Sequence, residues 1–514
     1  MDALDKFVDQ KLKGSFYQIG AFIILFLINV FNGAFMHITI VIDRHLTTYF
    51  GMSPLQLKIV KSIYFVGVIF GSQIIGFMLK IRGRAFLIKC FFLFQIMNGI
   101  LQIFVKNYYL LLYFWFAHGI FNGFCLNLLN SFASEIVPIE SRGRWMIIYS
   151  SGTSFGKLIM AIMSYLSFNE TVIDDWMYQI FFFTCIAISF YPFLFLFLRE
   201  SLRFLYVSKR YDQFTEEINK IIHFSNAFKR PGNLIKSVTK DDVKELEQSN
   251  IEANKNNANS SGGYKYLLSK TFMATNIKIW IIWFTMFINV IGQANLTGKW
   301  FSGGSGGGLG SIITSVAGEI PSMVLVYNLI DRKTVGRKTL LNVFSFFTGV
   351  IFLIAFFVAE GNDDLMKYIF FMTRFGIKGV FGVMVSFTAE LYPTIIRSNA
   401  LGICASLGGF ASCILPFILD EIFAIKRTLP FPFFAACCFA TFISSMMFPF
   451  DTTGKSLDSN FENKTVKEET KGPSSNSPTE SSQKTLTSEK PITSIKTCDG
   501  LTVSSVPRKY SFKK

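Results

Sequence analysis

Two charged residues stand deep inside apolar stretches of this chain, where a charge is expensive and is usually retained for function. Lys157 lies about twelve residues into one apolar run, and Glu319 about midway through another. A lysine and a carboxylate so placed can neutralise each other permanently in hydrocarbon. They can equally line a cavity, pairing while it is empty and giving up that partner for a charged group on a solute. Gln73, Asn127 and Gln293 also fall in apolar runs, where a side-chain amide bonds either a solute or a neighbouring helix. Arg374 and Lys378, one helical turn apart, are read as packing against acidic neighbours. His118, again inside an apolar run, reads as a hydrogen bonder between helices.

A second group of charges repeats. Glu135, Pro138 and Arg142 occur in the frame Glu-x-x-Pro-x-x-x-Arg, and Glu390, Pro393 and Arg397 occur in the same frame 255 residues later. Arg82-Gly83-Arg84 and Gly336-Arg337-Lys338 repeat at nearly that offset, 253 residues. Two unlike motifs sharing one offset imply two equivalent halves, a hallmark of secondary transporters. Each Glu closes an apolar run, with Pro to end the helix and cations nearby. Arg84, Arg142 and Arg144 are candidate partners for Glu135, and Arg337 and Arg397 for Glu390, with Asp331 close by in sequence. Such charges can latch one side of a molecule shut and release as its halves rock; the plainer reading is that they mark span ends and reach for water.

The elements that must position these residues are set by composition. The chain is 51% hydrophobic and 16% charged, with 60 Phe in 514 residues, and its mean hydropathy is +0.41. Apolar runs of about 20 residues, each long enough to cross a bilayer, recur along nearly its whole length. Six read at 17–41, 57–79, 85–105, 108–131, 145–167 and 177–198, and six more at 274–296, 309–330, 338–359, 367–389, 399–419 and 430–450. The expected architecture is all-α: a cytoplasmic N-terminus over 1–16, a six-helix bundle over 17–198, a polar linker over 199–273, a second bundle over 274–450 and a disordered cytoplasmic tail over 451–514. Within the linker, 210–228 and 239–250 read as amphipathic helices lying on the membrane surface, and 256–263 as flexible chain. The glycine-rich 302–308 reads as a flexible outer hinge or an ill-ordered connector.

The formal charge of +16 needs no nucleic acid, because the basic residues crowd short loops on one side, and by the positive-inside rule that side is cytoplasmic. Both termini then lie inside. The sequons at Asn169 and Asn295 fall outside, where glycosylation is possible. The eight Cys show no Cys-x-x-Cys pair and the four His are scattered, so neither a metal site nor any other cofactor is expected. No Walker loop or Gly-x-Ser-x-Gly elbow is present, and an enzyme reading has no residues to stand on.

Several stretches, in order, carry a resemblance. Gly14-Ser15-Phe16-Tyr17-Gln18, Arg82-Gly83-Arg84, Arg199-Glu200-Ser201-Leu202-Arg203-Phe204-Leu205, Trp283-Phe284-Thr285, Glu319-Ile320-Pro321, Ala389 to Arg397 and Phe450-Asp451-Thr452-Thr453-Gly454 are similar to motifs of the major facilitator superfamily. Within it they resemble the organic cation/anion/zwitterion transporter family of solute carriers. The resemblance implies twelve transmembrane helices in two pseudo-symmetric six-helix bundles. It also implies alternating-access transport of a small organic ion, with cations and zwitterions ranked ahead of anions, across what is expected to be the plasma membrane. Lys80 replaces the family's usual Asp, the long outer loop after the first span is missing, and Gly409 stands where relatives place a charge that sorts cations from anions. A sugar porter of the same superfamily, or a transporter-like sensor or scaffold, are the rival readings. The expected partners are the substrate, the lipid bilayer and a kinase acting on the Ser/Thr-rich tail.

Overall fold

The computed structural model describes residues 2–12, 15–138, 141–167, 175–227, 234–254, 267–301, 307–332, 335–359, 363–392, 394–449 and 451. The sequon at Asn169, the glycine-rich 302–306, residues 255–266 of the linker and the tail from 452 onward lie outside the described residues. Everything with regular structure among them is helix. Among the described residues, ten helices are long and apolar enough to cross a membrane, and two shorter apolar helices, Trp176–Phe190 and Pro430–Met446, take the sixth and twelfth places.

The first half begins with α1 (Asp2–Leu12) and continues through α2 (Phe16–Val41), a short α3 (Asp43–Phe50), α4 (Pro54–Ile81), α5 (Arg84–Gln102), α6 (Tyr108–Ile136), α7 (Arg142–Ser167) and α8 (Asp175–Phe190). Local chemistry fixes where several of these start. The Ser15 hydroxyl caps α2 by accepting from Gln18 N at 3.2 Å. Ser53 and Gln56 form a capping box on α4, with Pro54 at its first position, where a missing N–H is harmless.

Helices α4 and α6 touch backbone to backbone. Gly67 and Gly71 on α4 face Gly119 and Gly123 on α6, and a Cβ on any of them would strike a main-chain oxygen of the other helix, of Phe116, Ile120, Tyr64 or Val68. Four-residue spacing of glycine on both helices is what permits that approach, since packing and not hydrophobicity drives association in lipid. Gly119→Val is expected to lower stability by about 1–3 kcal/mol or more, as overpacking does in a core. A fall in the thermal unfolding midpoint of the detergent-solubilised protein checks this.

After the short α9 (Phe193–Phe197) come α10 (Leu202–Val207), α11 (Tyr211–Asn226) and α12 (Lys240–Asn254). Their apolar residues do not lie on lipid as the sequence suggests. Phe214, Ile218, Ile221 and Ile222 of α11 are buried with Leu4, Leu12, Val243 and Leu246 in a small core of their own. Amphipathic periodicity announces a covered face, and here protein covers it.

The second half comprises α13 (Lys270–Phe301), the seventh span; α14 (Gly307–Ala317) with α15 (Glu319–Leu329), the two pieces of the eighth; and α16 (Arg337–Val358), α17 (Asp363–Leu391), α18 (Thr394–Ile425) and α19 (Pro430–Met446). Helix α13 runs five residues beyond the span expected from sequence. Asn295 therefore sits inside it, 6% exposed, donating to Ile291 O at 3.0 Å, and does not present its sequon in an outer loop. His118 also departs from expectation. It is fully buried and stacked on Phe35 at 4.5 Å, and neither ring nitrogen has a hydrogen-bond partner among the described residues.

Candidate functional site

Lys157 and Glu319 meet. The Lys157 Nζ lies 2.9 Å from Oε1 and 3.1 Å from Oε2 of Glu319, joining α7 of the first half to α15 of the second. Ser154, one turn before Lys157, donates its hydroxyl to Glu319 Oε2 at 2.7 Å. Two further cations share the carboxylate. Arg374 Nη1 is 3.9 Å from Oε1, and Lys378 Nζ is 3.8 Å from Oε2. Glu319 is 1% exposed and Lys157 7%, so the cluster is sealed inside protein and does not face acyl chains.

Sequence places these groups together through one break. The eighth span is interrupted at Gly318, where a Cβ would strike the carbonyl of Phe371 on α17. That close approach sets Glu319 beside Arg374, three residues further along α17. Each cation is also anchored by the backbone: Arg374 Nη1 donates to Val290 O at 3.1 Å, and Lys378 Nζ donates to Ser150 O at 3.1 Å and Thr153 Oγ1 at 2.9 Å. Lys378 thus reaches from α17 to α7, a second bridge between the halves. His37 on α2, 3% exposed with Nε2 unpartnered among the described residues, lies within electrostatic reach of Lys157, Glu319 and Arg374. One carboxylate stands among three basic side chains, and low polarity magnifies any imbalance of charge there.

The other candidates divide. Gln293 donates to Phe370 O at 2.9 Å and Thr373 Oγ1 at 2.7 Å, binding α13 to α17. Asn127 donates to Gly123 O on its own helix at 3.2 Å. Gln73 donates to Ser406 Oγ at 2.6 Å, between α4 and α18. Among the described residues, none of the three hydrogen-bonds with Lys157 or Glu319. A polar side chain in an apolar run looks the same from sequence whether it serves a solute or a neighbouring helix. Arg374 and Lys378 do pack against an acidic neighbour, and that neighbour is Glu319 itself.

On the linker side the repeated charges pair identically in the two halves. Arg84 pairs with Glu135, whose Oε2 also accepts from Ser201 Oγ at 2.6 Å. Arg337 pairs with Glu390 and reaches Asp331 at 3.6 Å. The helices that carry Arg84 and Arg337 begin on glycines without a side-chain cap of their own. A distant carboxylate supplies one in each case. Glu200 Oε1 accepts from Arg84 N at 2.7 Å and Ala85 N at 3.3 Å, and Asp451 accepts from Arg337 N at 3.1 Å and Lys338 N at 3.2 Å. A Cβ at Gly83 or Gly336 would occupy the place of the capping carboxylate. Arg142 opens α7, while Arg397 Nη2 donates to Tyr392 O at 3.5 Å; the partner that Glu390 takes is Arg337. Asp331 crosses the halves, accepting from Arg144 N at 3.1 Å and Arg144 Nε at 3.3 Å.

The opposite face carries a bridge that sequence reading missed. Lys58 of α4 lies 3.4 Å from Asp420 and 3.5 Å from Glu421 at the far end of α18, and Lys299 also pairs with Asp420. Charges are ordinary at span ends, so nothing in the sequence sets these apart. Bridges thus join the halves at both faces and at the centre.

A family model described as Major Facilitator Superfamily matches residues 19–416. A synaptic vesicle 2-related protein of Xenopus laevis is 22% identical over 429 residues, covering 78% of this chain and 72% of the relative. An organic cation/carnitine transporter 7 of Arabidopsis thaliana is 23% identical over 449 residues, covering 79% and 86%. Among solved structures, a proton:xylose symporter of the superfamily superposes with a TM-score of 0.69 at 17% identity, over 86% of this chain and 98% of that one.

Proposed function

The chain belongs to the major facilitator superfamily, membrane-embedded secondary transporters of twelve helices and not enzymes, and from that premise we propose that it moves a small organic ion by alternating access. One observation carries the proposal: the buried cluster of Lys157, Glu319, Arg374 and Lys378, drawn from both halves. A carboxylate shared between rocking halves can be released only if something replaces it, and a charged group on the substrate is the natural replacement. Glu319 against three cations favours a substrate that brings negative charge. Within the ranking drawn from sequence, this supports a zwitterion over a simple cation. The name of one relative, organic cation/carnitine transporter 7, includes a zwitterion beside organic cations.

A neutral sugar would leave the cluster nothing to exchange, which argues against the sugar-porter reading despite the shared fold. On this proposal the membrane is the plasma membrane, both termini are cytoplasmic, the bundles comprise 17–198 and 274–450, and the tail is open to a kinase. The test is uptake of labelled cations, anions and zwitterions into proteoliposomes of the purified chain. Saturable zwitterion uptake, unaffected by excess glucose, is the expected result. Uptake blocked by glucose, or no uptake of any solute, would refute it in favour of the sugar porter or of the scaffold.

A further inference from the structure

Away from the central cluster, a cavity of about 560 Å³ opens on the outer side of the first half at the linker end of α5. Its lining includes Phe86, Lys89, Phe195, Leu198, Arg199 and Arg210. Two features mark it. The ring faces beside it are turned outward, with Phe86 49% exposed and Phe195 58%, and Phe193 and Leu196 next to them are similarly exposed. In a bilayer such a surface borders acyl chains. Two of the cavity's cations, Lys89 and Arg210, are also left over. Glu200 is occupied by the N–H groups of Arg84, Ala85 and Ser201. Glu216 and Glu217 pair with Lys220, and Glu217 also with Arg199 at 3.6 Å.

Lys89 and Arg210 have no ion-pair partner among the described residues. Lys89 Nζ rests over the Phe195 ring at 4.9 Å, and the Arg210 guanidinium over Phe204 at 5.9 Å. Lys89 is half-buried more than one turn inside a spanning helix, and the carboxylates that share its cavity, Glu200, Glu216 and Glu217, are engaged with other groups, so it lacks the directly paired anion that normally stabilises a lysine there.

We infer that this cavity binds an anionic phospholipid from the leaflet on the linker side. Its phosphate sits between Lys89 and Arg210, and an acyl chain runs along Phe86 and Phe195. A lipid is favoured over a free phosphate because the cavity is open toward the apolar surface as well as toward the linker. Linker residues on and beside α10 and α11, among them Phe204, Arg210 and Gln213, line the cavity, so the bound headgroup would fasten the linker to the bundle. The inference stands apart from transport and does not need it.

The full chain in detergent is titrated with phosphatidylglycerol, or with phosphatidylcholine of the same acyl chains, and the bound lipids are counted by native mass spectrometry. Phosphatidylglycerol should be retained more tightly than phosphatidylcholine. Lys89→Gln or Arg210→Gln should weaken it about fivefold each, and the two together about 25-fold, while phosphatidylcholine retention stays level. Lys89→Arg should keep the binding. Should Lys89→Gln fail to fold, Arg210→Gln alone must still show its fivefold loss, since that side chain is exposed. Unchanged retention in the folded variants overturns the inference. So does displacement of the lipid by millimolar glycerol 3-phosphate, which would make this a site for soluble anions.

Discussion

Glu319→Gln should be the most damaging single change at the centre of the molecule. The carboxylate is the shared counter-charge of Lys157 at 2.9 Å, Lys378 at 3.8 Å and Arg374 at 3.9 Å. Removing it strands three cations inside the bilayer slab, where breaking even one buried pair is destabilising by about 3–5 kcal/mol. Lys157→Gln removes the closest partner yet leaves Glu319 two others, so its effect on the unfolding midpoint should be clearly smaller. Uptake should fall in both variants. In Glu319→Gln a loss of about 3 kcal/mol of differential binding amounts to roughly a 100-fold drop in rate. Thermal unfolding and proteoliposome uptake, measured side by side, check the ordering. Equal destabilisation by the two substitutions would mean a simple pair, with Arg374 and Lys378 as bystanders.

How far that cluster could be read from sequence follows from what makes each residue unusual. Lys157 and Glu319 were legible because a charge at mid-span has few bland explanations. The pairing of Arg84 with Glu135 and of Arg337 with Glu390 was half legible. The repeat named the right set of partners, but choosing Arg337 over Arg397 needs the crossing of α16 and α17, which no spacing encodes. Gln73, Asn127 and Gln293 carried no usable signal, because amides that glue helices and amides that meet solutes share one sequence signature. The Lys58–Asp420 bridge was hidden by its own ordinariness. The linker helices were legible as amphipathic and misread as membrane-bound, since periodicity gives a face but not its partner. The sequon at Asn295 failed on a boundary: a helix carried on to Phe301 turns an expected loop into buried surface.

The twofold repeat allows a sharper test at the linker face, because Arg84 and Arg337 occupy matching places with unequal connections. Arg337 is 5% exposed and holds Glu390 and Asp331, and Asp331 in turn takes Arg144 from the other half. Arg84 holds Glu135, itself bonded to Ser201, and all three belong to the first half or its linker. Arg84→Gln and Arg337→Gln should therefore be destabilising by similar amounts, about 3 kcal/mol each, through the buried carboxylate each leaves behind. Only Arg337→Gln should also loosen the halves, because Asp331 loses the cation that fixes it against Arg144. Arg144→Gln completes the comparison. Its side chain is 47% exposed, so the stability loss should stay below about 1 kcal/mol, yet it removes the bridge between the halves directly. Distances between spin labels on the linker-side ends of α7 and α15 should lengthen in Arg337→Gln and Arg144→Gln and stay put in Arg84→Gln. A latch requires that division, because opening depends on contacts that differ between the two states and not on contacts that merely hold one half together. If all three variants shift the distances alike, the repeated charges only brace the span ends, and gating must reside in the central cluster or the Lys58–Asp420 bridge.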